Sequence, residues 1–226
     1  MDRWVGETLR KAFVSSAVLD CLEEYVRRVF ESPINLTGFS PAQFWEKGVL
    51  DALSLLSCSG HASSGSLECV DIGSGSGLPG MVLAIIRSEW EWTLVESRVR
   101  RAEFLLNTAA SLGLSNVKVV GERAEVWVCQ NPMIREHFDL VTARAVGPML
   151  TTAELALPLA KIGGTIALPM GLEGVKGLVA SPIISVLGGE VNEEGGDGLL
   201  SGIGIIRKMR STPAVFPRIG SKLGKF

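Results

Sequence analysis

Histidine and paired cysteine are scarce: His61 and His137 are the only histidines in 226 residues, and the four cysteines, Cys21, Cys58, Cys69 and Cys129, form no CxxC pair. Neither a zinc cluster nor a disulfide framework is expected from so few, so scattered ligands. No metal site is expected, and the thiols read as reduced. Long apolar runs are also missing. Met81–Ile86 is cut off by Arg87 and Leu150–Ala160 carries Glu154, well short of the ~20 apolar residues that span a bilayer. Arg10 and Lys11 precede a short apolar stretch, but Asp2 and Glu7 spoil it as a signal peptide and no small-residue cleavage site follows. The chain reads as a cytoplasmic protein with no membrane partner. An excess of one charge is lacking as well: 22 Lys and Arg face 24 Asp and Glu, a net −2, which argues against a protein that coats nucleic acid nonspecifically.

What is present is apolar content, 46% of residues, enough for one sizeable core and too much for a mainly disordered chain. Charge is unevenly placed. From Gly198 to Phe226 the basic residues are Arg207, Lys208, Arg210, Arg218, Lys222 and Lys225, with no acidic residue among them, so a cationic C-terminal surface is expected on an otherwise acidic protein.

Val18, Leu22, Tyr25, Val26 and Val29 share one helical stripe, and Pro33 should stop that surface helix near Ser32. Ser40, Pro41 and Gln43 spell a capping box that opens a second helix carrying Trp45, Val49, Ala52, Leu53 and Leu56 on one face. Residues 1–56 therefore read as an N-terminal helical cap. Residues 57–66, SCSGHASSGS, read as a flexible Ser/Gly-rich loop in which His61 is solvated.

From residue 67 to 226 the texture changes. Strands are expected at Leu67–Ile72, Trp92–Glu96, Val117–Val120, Phe138–Ala143 and Gly164–Pro169, with helices near Leu78–Arg87, Arg98–Leu112, Ala124–Val128 and Met149–Ala160 between them. Strands apolar on both faces, each followed by a helix, imply a doubly wound α/β fold with a mostly parallel sheet. Gly188–Gly202 is Gly-rich and acidic; Ile203–Lys208 should form a last strand, antiparallel at the sheet's far end.

The informative segment is VDIGSGSGLPG at 70–80, running off the first strand into a helix. In an open α/β sheet this turn is where ligands bind, and glycine lets the backbone turn tightly and approach a ligand. Gly75, Gly77 and Gly80 satisfy the dinucleotide pattern GxGxxG, a weak signal alone. The wider frame, Asp71 followed by Gly73, Gly75 and Gly77, resembles the S-adenosylmethionine loop of class I methyltransferases. Asp71 is the discriminating residue: a carboxylate would oppose a pyrophosphate but suit an ammonium group. Glu96, at the end of the second strand, suits two ribose hydroxyls in either cofactor class, and Glu125 follows the third strand where adenine would lie.

Together with ESRVRRAEFL at 96–105, ERAE at 122–125, FDLVTARAVGP at 138–148 and PRIG at 217–220, the loop resembles the bacterial 16S rRNA guanine-N7 methyltransferases, the glucose-inhibited division protein B family. The resemblance runs from Asn35-Leu36-Thr37 to the C-terminus. It implies a class I, Rossmann-like methyltransferase with an N-terminal helical extension, using S-adenosyl-L-methionine through Gly73, Leu78, Ala124, Glu125 and Arg144, alongside Asp71, Gly75 and Glu96. The implied acceptor is N7 of a guanosine in 16S rRNA, within a small ribosomal subunit or its precursor, and a monomer is expected. Three places depart from the family: Gly48-Val49 replaces His-Ile, Pro169-Met170-Gly171 replaces Lys-Gly, and the tail SKLGKF lacks a proline.

Ala143-Arg144-Ala145 stands where exocyclic-amine enzymes need Pro-Pro-aromatic, and no cysteine nucleophile is near. N7 of guanine has a free lone pair, so positioning can supply most of the catalysis. Arg144 is the candidate to position the base, and Arg218 and Lys222 are candidates for RNA phosphates. Two other readings remain open from the residues: an NAD(P)-dependent oxidoreductase, and a noncatalytic RNA-binding ribosome-assembly factor.

Overall fold

The computed structural model describes residues 15–58, 60–61, 65–192 and 202–226. Parts of the Ser/Gly-rich loop and of the acidic Gly-rich stretch therefore lie outside the described residues. Helix α1 (Ser16–Glu31) starts at Ser15, whose side chain accepts from the Val18 amide, and ends at Ser32, held extended ahead of Pro33. The capping box opens α2 (Pro41–Phe44): the Ser40 hydroxyl accepts from the Gln43 amide, and the Gln43 side chain accepts from the Ser40 amide. The helix then widens into a π segment (Trp45–Leu50) before resuming as α3 (Asp51–Cys58). Regular 3.6-residue spacing did not foresee that segment.

The expected strands form as β1 (Glu68–Ile72), β2 (Glu91–Val95), β3 (Val117–Val120), β4 (Phe138–Ala143) and β5 (Ala160–Pro169). Between them run α4 (Gly80–Ile86), α5 (Val99–Ser111), α6 (Ala124–Gln130) and α7 (Met149–Ala156). Helix α7 stops short of Ala160 because Pro158 cannot continue it. Beyond β5 come α8 (Gly171–Val179), α9 (Ile183–Val186), β6 (Gly189–Asn192) and β7 (Ile203–Lys208).

The sheet order is β3-β2-β1-β4-β5-β7-β6, with β1 to β5 parallel and β7 antiparallel to β5. Strand β7 is antiparallel as expected but sits inside the sheet; β6 takes the edge. Both faces are covered, and side-chain alternation divides the core. Cys69, Leu94, Leu140, Ala167 and Ile205 pack with α1, α3 and α4, whereas Val70, Val95, Val141, Ile166 and Ile206 pack with α6, α7 and α8. The N-terminal helices thus share one core with the sheet. His61 is half-buried, not solvated: its Nε2 lies 3.2 Å from the Thr165 hydroxyl and its ring meets Trp90 edge-on, so burial lowers its pKa.

Candidate functional site

Register places the site. Ile72 pairs with Val95 on one side and with Ala143 on the other, so Gly73, Glu96 and Arg144 leave the sheet side by side. This is the point where consecutive crossovers diverge, the position that binds ligands in open α/β sheets. The Gly73 and Ser74 amides donate to the Val95 carbonyl at 2.8 and 3.1 Å, which folds the loop over the end of β2. Gly73, Gly75 and Gly77 all have positive φ, the region where glycine carries no steric cost. A Cβ on Gly73 would lie 2.8 Å from Val146 Cγ2, so the loop rests on the segment after β4 with no room for a side chain.

The loop is held from below by the N-terminal helices. The Tyr25 hydroxyl of α1, fully buried, donates to the Ser76 carbonyl at 2.9 Å. Gly48 of the π segment approaches Leu78 so closely that a Cβ there would lie 2.9 Å from Leu78 Cδ1. Leu78, expected at the cofactor, is turned toward this packing and is buried.

Glu96 is 5% exposed. One carboxylate oxygen accepts from the Gly75 amide at 2.9 Å and the other from the Arg98 amide at 2.8 Å. Each oxygen keeps lone-pair capacity toward a crevice of about 220 Å³ lined also by Gly73, Ala124, Glu125, Val146 and Leu223. Glu125 is buried on this wall and paired with Arg123 at 2.6 Å.

Asp71 does not join them. Alternation along β1 points it away from Val70 and Ile72, toward α4. There Oδ1 accepts from the Thr142 hydroxyl at 2.7 Å and Oδ2 from the Gly80 amide at 3.3 Å. It is fully buried, and desolvation raises its pKa to about 6 against the lowering by these bonds. The expected contact with a ligand ammonium is replaced by a structural role: Asp71 pins the glycine loop to the first turn of α4.

Arg144 is mostly buried, its Nη2 3.7 Å from Asp51 and its guanidinium 5.4 Å from the Phe39 ring centroid. It lines a second cavity, of about 390 Å³, with Met149, Thr152, Leu168, Pro169 and Met170. Ala145 borders both this cavity and the crevice, at φ 52. A non-glycine residue held in that region is backbone strain of the kind that clusters at functional sites. Sequence reading missed Ala145, although its place in ARA was the available signal. A larger cavity, about 600 Å³, lies between α1 and α5 and includes no glycine-loop residue.

The basic tail is largely spoken for. Lys208 is buried against the Leu157 carbonyl and Glu136, and burial lowers its pKa to about 8. Arg207 donates to the Thr165 hydroxyl, and Arg210 to the Ser185 carbonyl. Arg218 binds the fully buried Glu154: its amide, Nε and Nη2 donate to that carboxylate at 2.7, 2.9 and 2.7 Å. The Gly224 amide adds a further bond to Glu154 at 2.8 Å. The expected phosphate contact at Arg218 gives way to this clamp, which delivers Leu223 to the crevice. Lys222 is exposed.

The sheet order, the glycine turn and the acidic residue ending β2 define the fold of a class I methyltransferase. A putative S-adenosyl-L-methionine-dependent methyltransferase from Methanococcus maripaludis superposes with TM-score 0.53, at 16% identity over 75% of this chain and 89% of that one. An MtNAS variant in complex with S-adenosylmethionine gives 0.56, at 16% identity over 84% and 73%. At such identities the likeness is one of fold. The family model of rRNA small subunit methyltransferase G matches residues 19–178, and the chain belongs to that family. The ribosomal RNA small subunit methyltransferase G of Sorangium cellulosum is 41% identical over 170 residues, 74% of this chain and 68% of that protein. Its namesake from Dehalococcoides mccartyi is 33% identical over 223 residues, 91% and 89%.

Proposed function

We propose that the protein transfers a methyl group from S-adenosyl-L-methionine to N7 of a guanosine in 16S rRNA, within a small ribosomal subunit or its precursor. The observation that carries this reading is the contiguity of two cavities across Ala145: the crevice with Glu96 on one side, the cavity with Arg144 on the other. Family membership and the names of the relatives, which specify ribosomal RNA of the small subunit, support it.

The residues of the crevice fit the cofactor. Glu96, with both oxygens oriented by backbone amides, is an acceptor pair for the ribose hydroxyls. Gly73, on the crevice wall without a Cβ, allows close approach of the amino-acid part, and Ala124 and Glu125 bound the adenine end. When bound, S-adenosylmethionine supplies an electrophilic methyl group on a sulfonium centre. The acceptor cavity has Arg144 as its one charged lining residue and no carboxylate or imidazole among the described residues. That suits an acceptor nitrogen with a free lone pair: bound S-adenosylmethionine would supply the methyl group, with its sulfur left as a neutral thioether and the positive charge on the base, so no lining residue would need to take a proton. Arg144 can hold guanine O6 by a charge-assisted bond and leave N7 facing the methyl group.

Isothermal calorimetry tests the cofactor half. Saturable binding of S-adenosylmethionine, lost in Gly73→Val, is expected; no binding heat under conditions where the protein is folded overturns it.

A further inference from the structure

Asp51 is a charged residue on a helix, yet it is 3% exposed, and carboxylates are almost never so buried without a partner. Asp51 follows directly on the π segment Trp45–Leu50. A π turn shifts the phase of every residue after it, and such turns recur at functional sites. Gly48–Ala52 and Ser54–Leu56 are all buried, so this stretch is enclosed on nearly every face, and Asp51 lies within it 3.7 Å from Arg144 Nη2. The ring of Phe39, from the segment before α2, lies against the guanidinium, 5.4 Å from ring centroid to Cζ. Arg144 is thus bounded on one edge by Asp51 and on one face by Phe39. Both belong to the N-terminal segment, whereas Arg144 follows β4.

We propose that Asp51 is a positioning residue for methyl transfer, holding the Arg144 guanidinium so that its remaining donors face the acceptor cavity, with Phe39 fixing the plane. The proposal rests on Arg144 orienting the target base. At 3.7 Å the contact is an ion pair longer than a charge-assisted hydrogen bond of ~2.7–2.9 Å. It therefore tethers the guanidinium while leaving its hydrogen-bonding donors for the base. The same segment packs Gly48 on Leu78 of the glycine loop, so one helical piece sets both the cofactor loop and the acceptor side chain.

The test is a double-mutant cycle on single-turnover methyl transfer to small ribosomal subunits lacking the modification, with cofactor affinity and melting temperature measured alongside. Misplacing a positioning group can cost up to about a hundredfold in rate. Asp51→Asn should lower the transfer rate by about tenfold or more, with cofactor affinity retained. In an Arg144→Ala background the same substitution should cost nothing further, and Phe39→Leu should behave likewise with a smaller loss. Equal losses in both backgrounds would show that Asp51 acts apart from Arg144. No loss in Asp51→Asn while Arg144→Ala is impaired would reduce the pair to a structural contact. Normal transfer by Arg144→Ala would instead remove the role given to Arg144, and this proposal with it. If Asp51→Asn does not fold, Phe39→Leu in the two backgrounds decides: a loss that persists without Arg144 overturns the proposal.

Discussion

Glu96→Gln is the perturbation whose size can be worked most closely from the structure. The carboxylate spends one lone pair on the Gly75 amide and another on the Arg98 amide, at 2.9 and 2.8 Å. An amide side chain must turn its NH₂ toward one of those donors, so one loop contact is lost and one acceptor toward the crevice becomes a donor. A hydrogen bond to a charged group is worth about 1.5–3 kcal/mol, which at 1.4 kcal/mol per decade is roughly a tenfold to hundredfold weaker Kd for S-adenosylmethionine. The lost amide contact, also to the charged carboxylate, should lower stability by about 1.5–3 kcal/mol. Calorimetry with S-adenosylmethionine and with an analogue lacking both ribose hydroxyls separates the contributions. The wild type should lose affinity for the analogue, whereas the variant, which keeps one acceptor of the pair, should lose less. A variant that binds the natural cofactor within twofold of wild type, or a wild type indifferent to the missing hydroxyls, refutes the assignment of Glu96.

Three further outcomes follow from the same geometry. Glu154→Ala leaves Arg218 and two backbone amides without their acceptor and should cost on the order of 3 kcal/mol by chemical denaturation. Burial opposes ionisation of Glu154, but Arg218 and the Arg218 and Gly224 amides outweigh it and hold its pKa below the usual value. Its stabilisation is therefore present above the ordinary carboxylate pKa and lost as pH falls through the lowered one, where the gap to the variant should close. Asp71 behaves oppositely: with a folded pKa of about 6 against 3.8, the folded state binds the proton more tightly. The wild type should then lose stability relative to Asp71→Asn by on the order of 3 kcal/mol as pH rises through that window; carboxyl carbon NMR of Asp71 should titrate in the same range. Lys222→Ala should reduce the salt slope of RNA binding by about 1 at unchanged melting temperature, whereas Arg218→Ala should chiefly lower the melting temperature.

The sheet was legible because its strands are short and mainly apolar: Val117–Val120 and Phe138–Ala143 of the parallel part, and the antiparallel Ile203–Lys208, form over the residues expected. Helix α8 was not, because Gly171, Gly174 and Gly177 dilute the pattern that would mark it. Strand β6, with Gly189, Glu190 and Asn192 in four residues, lacks a strand's composition and forms only by pairing with β7. At the site, residue identity was readable but direction was not. Asp71 was singled out correctly as the charge at the end of β1, yet the two-residue alternation of a strand sends it under the loop. The charge of the tail was likewise visible, but Arg218 finds Glu154 across 64 positions of sequence, a pairing that no local pattern encodes. The π segment is the clearest case: a widening of the helix at Trp45–Leu50 is nothing that regular helical periodicity describes.

The most direct measurement of the central claim is the position of the methyl group itself. Small ribosomal subunits from cells lacking the enzyme are incubated with the protein and S-adenosylmethionine, and their 16S rRNA is treated with borohydride and aniline, which cleaves at N7-methylguanosine, then mapped by primer extension. A new stop at one guanosine, dependent on both protein and cofactor and absent with Arg144→Ala, is the predicted result. An unchanged cleavage pattern, with the protein folded and the cofactor bound, would contradict the account.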